Sequence, residues 1–272
     1  YDTAMIASVG EDAFGRLLIE TLEEKGVQTE GIMKTDVPTT LAFVHIAAEG
    51  ERSFSFYRQP GADIMLTKEA VSEVMINEAK IVHVGSLSMT SQPVREATRF
   101  ALKHASAKGK IISYDPNYRP MLWQQQTEAR KYMLEIMRYA HIVKVSDEEL
   151  NFLTKQGTVV TRANELIERY EITLLFITLG EKGSYCFHQN GFHIFIEGLT
   201  VKSIDTTGCG DAFLAGVLSK VLSHKCRRLT DLTKEDLQVI TSFGNKMGAY
   251  LATEYGAIPA MPTQKELQSF LK

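Results

Sequence analysis

The chain has 272 residues, 44% of them hydrophobic and 23% charged, with a formal net charge of −3. That length allows one large domain or two smaller ones with a real core and no need of disulfide staples. With no basic patch or arginine-rich run the composition excludes a nucleic-acid binder, and no apolar run approaches the roughly 18 residues of a membrane-spanning helix.

The opening "YDTAMIASVG" reads as a strand already under way, so the expectation is that the sequence is a piece of a longer protein. A helix follows over 12–25. "TTLAFVHIAAEGERSFSFYR", 39–58, then shows two alternating strands around Glu49-Gly50, with Phe54 and Phe56 on one side and Ser53, Ser55 and Tyr57 on the other. This is a β-hairpin pattern with a longer loop, either an edge of the main sheet or a separate flap. Next come the strand "KIVHVG", a helix over 91–108, the strand "KIISYD", a helix over 127–139, the strand "HIVKVS" and a helix over 163–170. "TLLFITLG", "SYCFH" and "GFHIFI" are three further strands, and helices over 211–223 and 234–253 complete the chain. Several of these strands are continuously apolar, the pattern of a parallel sheet buried on both faces. Their alternation with helices implies right-handed βαβ crossovers and an open, helix-covered sheet, an α/β fold.

The three cysteines, Cys186, Cys209 and Cys226, lack C-x-x-C spacing. They fit a reducing, cytoplasmic compartment better than a secreted disulfide framework or a zinc site. The seven histidines form no H-E-x-x-H or similar pair and read as surface or packed side chains.

The most informative stretch is "IDTTGCGDAFLAG", Ile204 to Gly216. Gly208-Cys209-Gly210 sits where a turn opens a helix whose apolar face carries Leu214, Val217, Leu218 and Val221. Glycines allow unusual φ and close backbone approach. Successive amides at the positive end of a helix dipole make an anion site, and phosphate is its natural occupant. Asp211 favours the helix dipole in any case. An acid beside an anion site repels the anion unless it has a task, and accepting the proton of a hydroxyl during phosphoryl transfer is such a task. No Walker A motif or protein-kinase set is present, and Phe213 stands where a dinucleotide fingerprint wants a third small residue.

"DTTGCGD" resembles the D-T-x-G-A-G-D signature of the ribokinase-like (PfkB-type) carbohydrate kinases, with Cys209 in place of the usual alanine. The resemblance runs along nearly the whole chain. "VGEDAFGRLLIETLEEKGV" is similar to the family's strand-helix after its first substrate motif, and "SYDPNYRPMLW" resembles a stretch typical of fructokinases and 2-keto-3-deoxygluconate kinases. "KVSDEEL" stands at the N-x-x-E motif, with Ser146 where asparagine is common. "ITLGEKGS" resembles the nucleotide segment, and "FGNKMGAYLATEYGAIPAMPT" the adenine-side helix and final loop.

The resemblance implies a three-layer α/β/α sandwich with a mostly parallel central sheet. Residues 1–38 and 59–272 would be its core, and the hairpin 39–58 a small lid that also supports a homodimer. It implies ATP-dependent phosphorylation of a sugar, with fructose giving fructose 6-phosphate and 2-keto-3-deoxygluconate, ribose or a nucleoside as alternative acceptors. A non-catalytic scaffold is the rival, against which Asp211, the glycines and Glu149 stand. Asp211 would be the base, and the amides of Gly208, Cys209 and Gly210 the anion hole. Lys144, Ser146, Thr178, Gly180, Gly183 and Asn245 would bind ATP, and Glu149 would organise Mg2+ and phosphate through water. Arg58, Asn117, Arg119 and Asp211 would bind sugar, with Asp63 beside Arg58. Asp205 and Thr207 would form a monovalent-cation loop suited to K+. The family's sugar-binding aspartate and Gly-Gly-x-x-N motif would precede Tyr1, so poor sugar binding by this chain alone is expected.

Overall fold

The computed structural model describes residues 1–46, 52–58, 60–224 and 228–270; the expected turn at Glu49-Gly50, and Cys226, lie outside them. The chain divides into two compact units, Tyr1–Ile112 with Tyr118–Tyr139, and Ser113–Asn117 with Ala140–Lys272.

In the first unit, strand β1 (Thr3–Gly10) pairs in parallel with β2 (Val27–Thr35) across helix α1 (Ala13–Glu24). Asp12 caps α1. Its Oδ1 accepts from Gly15 N at 2.7 Å and its Oδ2 from Thr39 N at 2.7 Å, so one carboxylate ties the helix start to the entry of the hairpin. The hairpin is β3 (Leu41–Ile46) with β4 (Arg52–Tyr57), antiparallel in the register Leu41–Tyr57 to Ile46–Arg52 and forming a two-stranded sheet of its own. Phe43 and Tyr57 meet edge to face at 5.5 Å on one side of it. Helix α2 (Glu73–Glu78), β5 (Ile81–Gly85) and α3 (Val94–Ala107) follow, and α4 (Gln126–Met137) comes after β6. Val94, Ala97, Leu102 and Ala105 of α3 and Met133, Ile136 and Met137 of α4 are buried, the 3.6-residue stripe expected of helices covering a core.

Strand β6 (Ile111–Asp115) begins in the first unit, where Ile111 N donates to Lys80 O, and ends in the second. The second unit adds β7 (Ile142–Ser146), β8 (Leu174–Thr178), β9 (Gly183–His188) and β10 (His193–Glu197), in the order β10-β9-β8-β7-β6. β6, β7 and β8 are parallel, and β9 and β10 return antiparallel. The central strands are buried almost end to end, as their continuous apolar runs require. β10 alternates, with Ile194 buried and Phe195 exposed. The helices are α5 (Asp147–Leu153), α6 (Val159–Tyr170), α7 (Cys209–Ser223), α8 (Lys234–Ala252) and α9 (Gln264–Phe270).

The α/β class and its strand-helix alternation stand as expected. Elements absent from the sequence reading are β2 and the short helices α2, α5 and α9. "VQTEGIMKT" opens on three consecutive polar residues after Val27, matches neither strand pattern, and becomes a strand by completing the ladder of β1. Helix α6 begins four residues earlier than expected because Thr158 caps it, accepting from Thr161 N at 3.1 Å.

Helix α7 is seated by close approach. Phe213 meets Phe176 of β8 edge to face, 5.8 Å between ring centroids. Against α8, a Cβ on Gly244 would lie 2.9 Å from the Phe213 ring and one on Gly216 2.8 Å from Met247 Cγ. Gly244→Val is therefore expected to lower the free energy of unfolding by about 1–3 kcal/mol through overpacking, read as a lower urea midpoint at constant slope. An unchanged midpoint would contradict the close approach.

Candidate active site

The turn before α7 is built on Gly208, whose φ of 80° is left-handed. A Cβ there would also meet Ala257 Cβ and Leu251 Cδ2 at 3.1 Å each, so both conformation and space call for glycine. Asp205 fixes the loop. It is buried, and its Oδ1 accepts from Thr207 N at 2.8 Å while its Oδ2 accepts from Gly256 N at 3.1 Å in the turn beyond α8. Cys209 N donates to Thr206 O at 3.3 Å, so this amide is shared between the turn and anything bound at the helix start. Helix α7 begins at Cys209, two residues before the expected start, which places Asp211 in its first turn with an exposed carboxylate.

Beneath that turn lies a buried charge cluster. Lys144 projects from β7, and its Nζ donates to Asp115 Oδ2 at 2.9 Å, with both side chains less than a tenth exposed. The other oxygen of Asp115 accepts from Asn117 N at 3.0 Å, closing an Asx turn in which Asn117 takes a φ of 48°. Burial alone would lower the Lys144 pKa. The charges of Asp115, Glu149 and Asp211 and the bond donated to Asp115 outweigh it, so the pKa is raised and the ammonium stays charged. A Cβ built on Gly210 would lie 2.8 Å from Lys144 Nζ, so the ammonium fills the space a side chain would take. Tyr114 is fully buried, and burial followed by the charges of Glu149 and Asp115 holds its hydroxyl well above the usual tyrosine range.

Ser146 and Glu149 form a capping box at the start of α5. Ser146 Oγ accepts from Glu149 N at 3.1 Å, and Glu149 Oε2 accepts from Ser146 N at 2.8 Å. Serine in place of the family's asparagine thus caps a helix and orients a buried acid. Thr178 ends β8 alongside β7, Gly180 has a φ of 60°, and Gly183 has a φ of 110° where a Cβ would run into Ile196 O. Asn245 spends both ends of its amide on the protein. Its Oδ1 accepts from Ser184 Oγ at 2.7 Å, and its Nδ2 donates to the carbonyls of Ile196 and Glu197.

Arg58 and Arg119 belong to the first unit. Arg58 is buried: Nε donates to Asp63 Oδ2 at 2.7 Å, Nη1 to Thr90 Oγ1 at 3.0 Å and Nη2 to Leu87 O at 3.0 Å. Thr40 Oγ1 donates to Asp63 as well. Arg58 therefore clamps the 87–90 turn in this structure. Arg119 Nη1 donates to the Tyr118 carbonyl at 3.1 Å. Asp115 is the residue the sequence reading left without a role. Its signal was present: a lysine within the apolar strand "HIVKVS" must be buried, and a buried ammonium needs a carboxylate.

Residues 1–264 match the family described as pfkB family carbohydrate kinase. The chain belongs to that family. This pfkB-family chain is 39% identical over 272 residues to Fructokinase-2 of Solanum lycopersicum, covering 99% of this chain and 81% of that protein. It also resembles the fructokinase of Xylella fastidiosa solved with bound ATP, at a TM-score of 0.86 and 32% identity over 98% of this chain and 84% of that one. The fructokinase of Vibrio cholerae solved with fructose, ADP and calcium matches with a TM-score of 0.88 and 30% identity, covering 100% of this chain and 86% of that one. As a member of the family the chain is an ATP-dependent sugar kinase. Among the described residues, no helix is long and apolar enough to cross a membrane.

Because the Asn245 amide is fully used in packing α8 against β9 and β10, Asn245→Ala is expected to cost about 1–3 kcal/mol of stability while the KM for ATP stays the same. A raised KM at unchanged unfolding midpoint would instead make Asn245 a nucleotide ligand.

Proposed function

We propose that this kinase transfers the γ-phosphoryl group of ATP to the primary hydroxyl of a ketose, with fructose giving fructose 6-phosphate. The observation that carries the reading is an exposed Asp211 in the first turn of a helix that begins at a left-handed glycine. That fructokinases are among the relatives, one of them solved with fructose and ADP, favours fructose as acceptor.

In this reading Asp211 accepts the hydroxyl proton as the phosphoryl group moves, which is worth about 10²- to 10⁴-fold in rate for a positioned base. The first amides of α7 have no acceptor within the helix, and those of Gly208 and Gly210, with Cys209 shared, face the developing charge. Asn117 and Arg119 are proposed sugar contacts. Arg58 is proposed to serve the sugar through the turn it clamps, and Thr178, Gly180 and Gly183 to line the nucleotide. Asn245 is proposed to serve only by packing.

Mg2+, which keeps several waters and is held largely by phosphates, fits the donor set: Glu149 is a single oriented buried acid, and the ion would neutralise phosphate charge. A monovalent cation fits the Asp205–Thr207 loop, where a buried carboxylate offers hard oxygen donors. For the hairpin we propose the roles of lid and homodimer contact, since it presents Phe43, Val44 and Tyr57 to solvent. A cytoplasmic location goes with that activity.

ADP release in the presence of fructose, 2-keto-3-deoxygluconate, ribose or adenosine tests the assignment. The expected result is fastest release with fructose, and loss of about 10³-fold or more in kcat for Asp211→Asn with little change in KM. Undiminished turnover by the Asp211→Asn variant would refute the base. Silence of the full-length protein with every acceptor would favour a scaffold.

A further inference from the structure

We propose that Lys144 is a positioning residue of the phosphoryl-transfer site: its buried ammonium, wedged between Asp115 and the α carbon of Gly210, sets the placement of the turn that carries Asp211. The inference rests on the reading of Asp211 as the base.

Three observations carry it. First, Lys144 is nearly inaccessible, which leaves little of its ammonium for a nucleotide to touch. Second, the ammonium lies against the first turn of α7, where a Cβ on Gly210 would come within 2.8 Å of Nζ and 3.5 Å of Cε. The start of a helix is the positive end of its dipole, and a cation there is disfavoured. A purely structural ion pair gains nothing from that location. Third, the charges that act on the ammonium come from three elements of this unit. They are Asp115 from β6, Glu149 from α5 and Asp211 from α7, with the neutral Tyr114 hydroxyl beside the first two. One cation thus balances three carboxylates beneath a turn whose proposed task is to receive a polyphosphate.

Gly210 then has a reason of its own. Its backbone is helical, unlike that of Gly208, and its missing side chain is what lets the ammonium in. The spacing between the two glycines of the turn answers two separate demands, one of backbone conformation and one of room for Lys144.

The test compares Lys144→Met, Asp115→Asn and the double variant with the unaltered protein, measuring kcat, the KM for ATP and for fructose, and thermal unfolding. Lys144→Met removes the charge at similar length and leaves Asp115 buried without it. Asp115→Asn keeps an acceptor for Asn117 N. The expected result is a kcat lowered by about 10²-fold for Lys144→Met, the size of effect a displaced catalytic group produces, with both KM values within about threefold. Its melting temperature falls. The double variant recovers the melting temperature and not the kcat, and it carries the kinetic comparison where the single one does not fold. Asp115→Asn alone, which keeps the ammonium, retains at least about tenfold more kcat than the double variant.

Recovery of kcat in the double variant would show that Lys144 only neutralises Asp115 and would overturn the inference. A raised KM for ATP at unchanged kcat would overturn it in favour of a nucleotide ligand. Equal kcat in Asp115→Asn and the double variant would assign the effect to the carboxylate. All of these measurements use the full-length protein; if it shows no sugar-dependent turnover when unaltered, the reading of Asp211 falls and the inference falls with it.

Discussion

A buried ammonium beside a buried carboxylate is the constraint around which the second unit is arranged. Taking either charge out of water costs several kcal/mol, and removing one partner from such a pair costs about 3–5 kcal/mol. The chain must therefore bring Lys144 and Asp115 together, though they are 29 positions apart. Parallel pairing of β6 with β7 does so at the carboxyl ends of the strands. The same contact closes the Asn117 turn through the second oxygen of Asp115. One strand later, Ser146 and Glu149 cap α5 reciprocally and add a second oriented acid. The ends of open α/β sheets are where ligands bind, and here those ends are held by charge-assisted bonds.

Helix α7 meets this cluster with its N-terminal turn, and its placement depends on what it lacks. Gly216 and Gly244 let α7 and α8 approach closely, Phe213 locks the helix to Phe176, and Gly208 admits a left-handed start against Leu251 and Ala257. Asp205 then links the turn to Gly256, so the approach to the helix and the exit from α8 are one structure. Packing thus delivers an exposed carboxylate and a row of helix-start amides to one place, which is the chemistry phosphoryl transfer needs.

The glycine-acid turn was legible because its meaning is local: spacing, φ freedom and helix dipole all lie within "DTTGCGDAF". The buried strands were legible from their apolar runs. Strand β2 was not, since three consecutive polar residues, Gln28-Thr29-Glu30, interrupt both the alternating and the apolar pattern and its pairing with β1 is decided by tertiary structure. The capping box at Ser146 and Glu149 was present as S-x-x-E before an apolar run but was read through family likeness. Thr90 and Leu87, which hold the Arg58 fork, and the partners of Asn245 and Lys144 lie far along the chain, and no spacing rule predicts them. For Arg58 and Asn245 the structure shows donors spent on protein carbonyls and side chains where the sequence suggested ligands.

The central claim is that the γ-phosphoryl group passes to a sugar hydroxyl at this turn. Phosphorus NMR of the products formed from ATP and fructose addresses it directly. The account predicts a new phosphate-ester resonance coupled to the C6 methylene protons of the sugar, growing in step with ADP. Inorganic phosphate as the sole new phosphorus species, or an ester on C1, would contradict it.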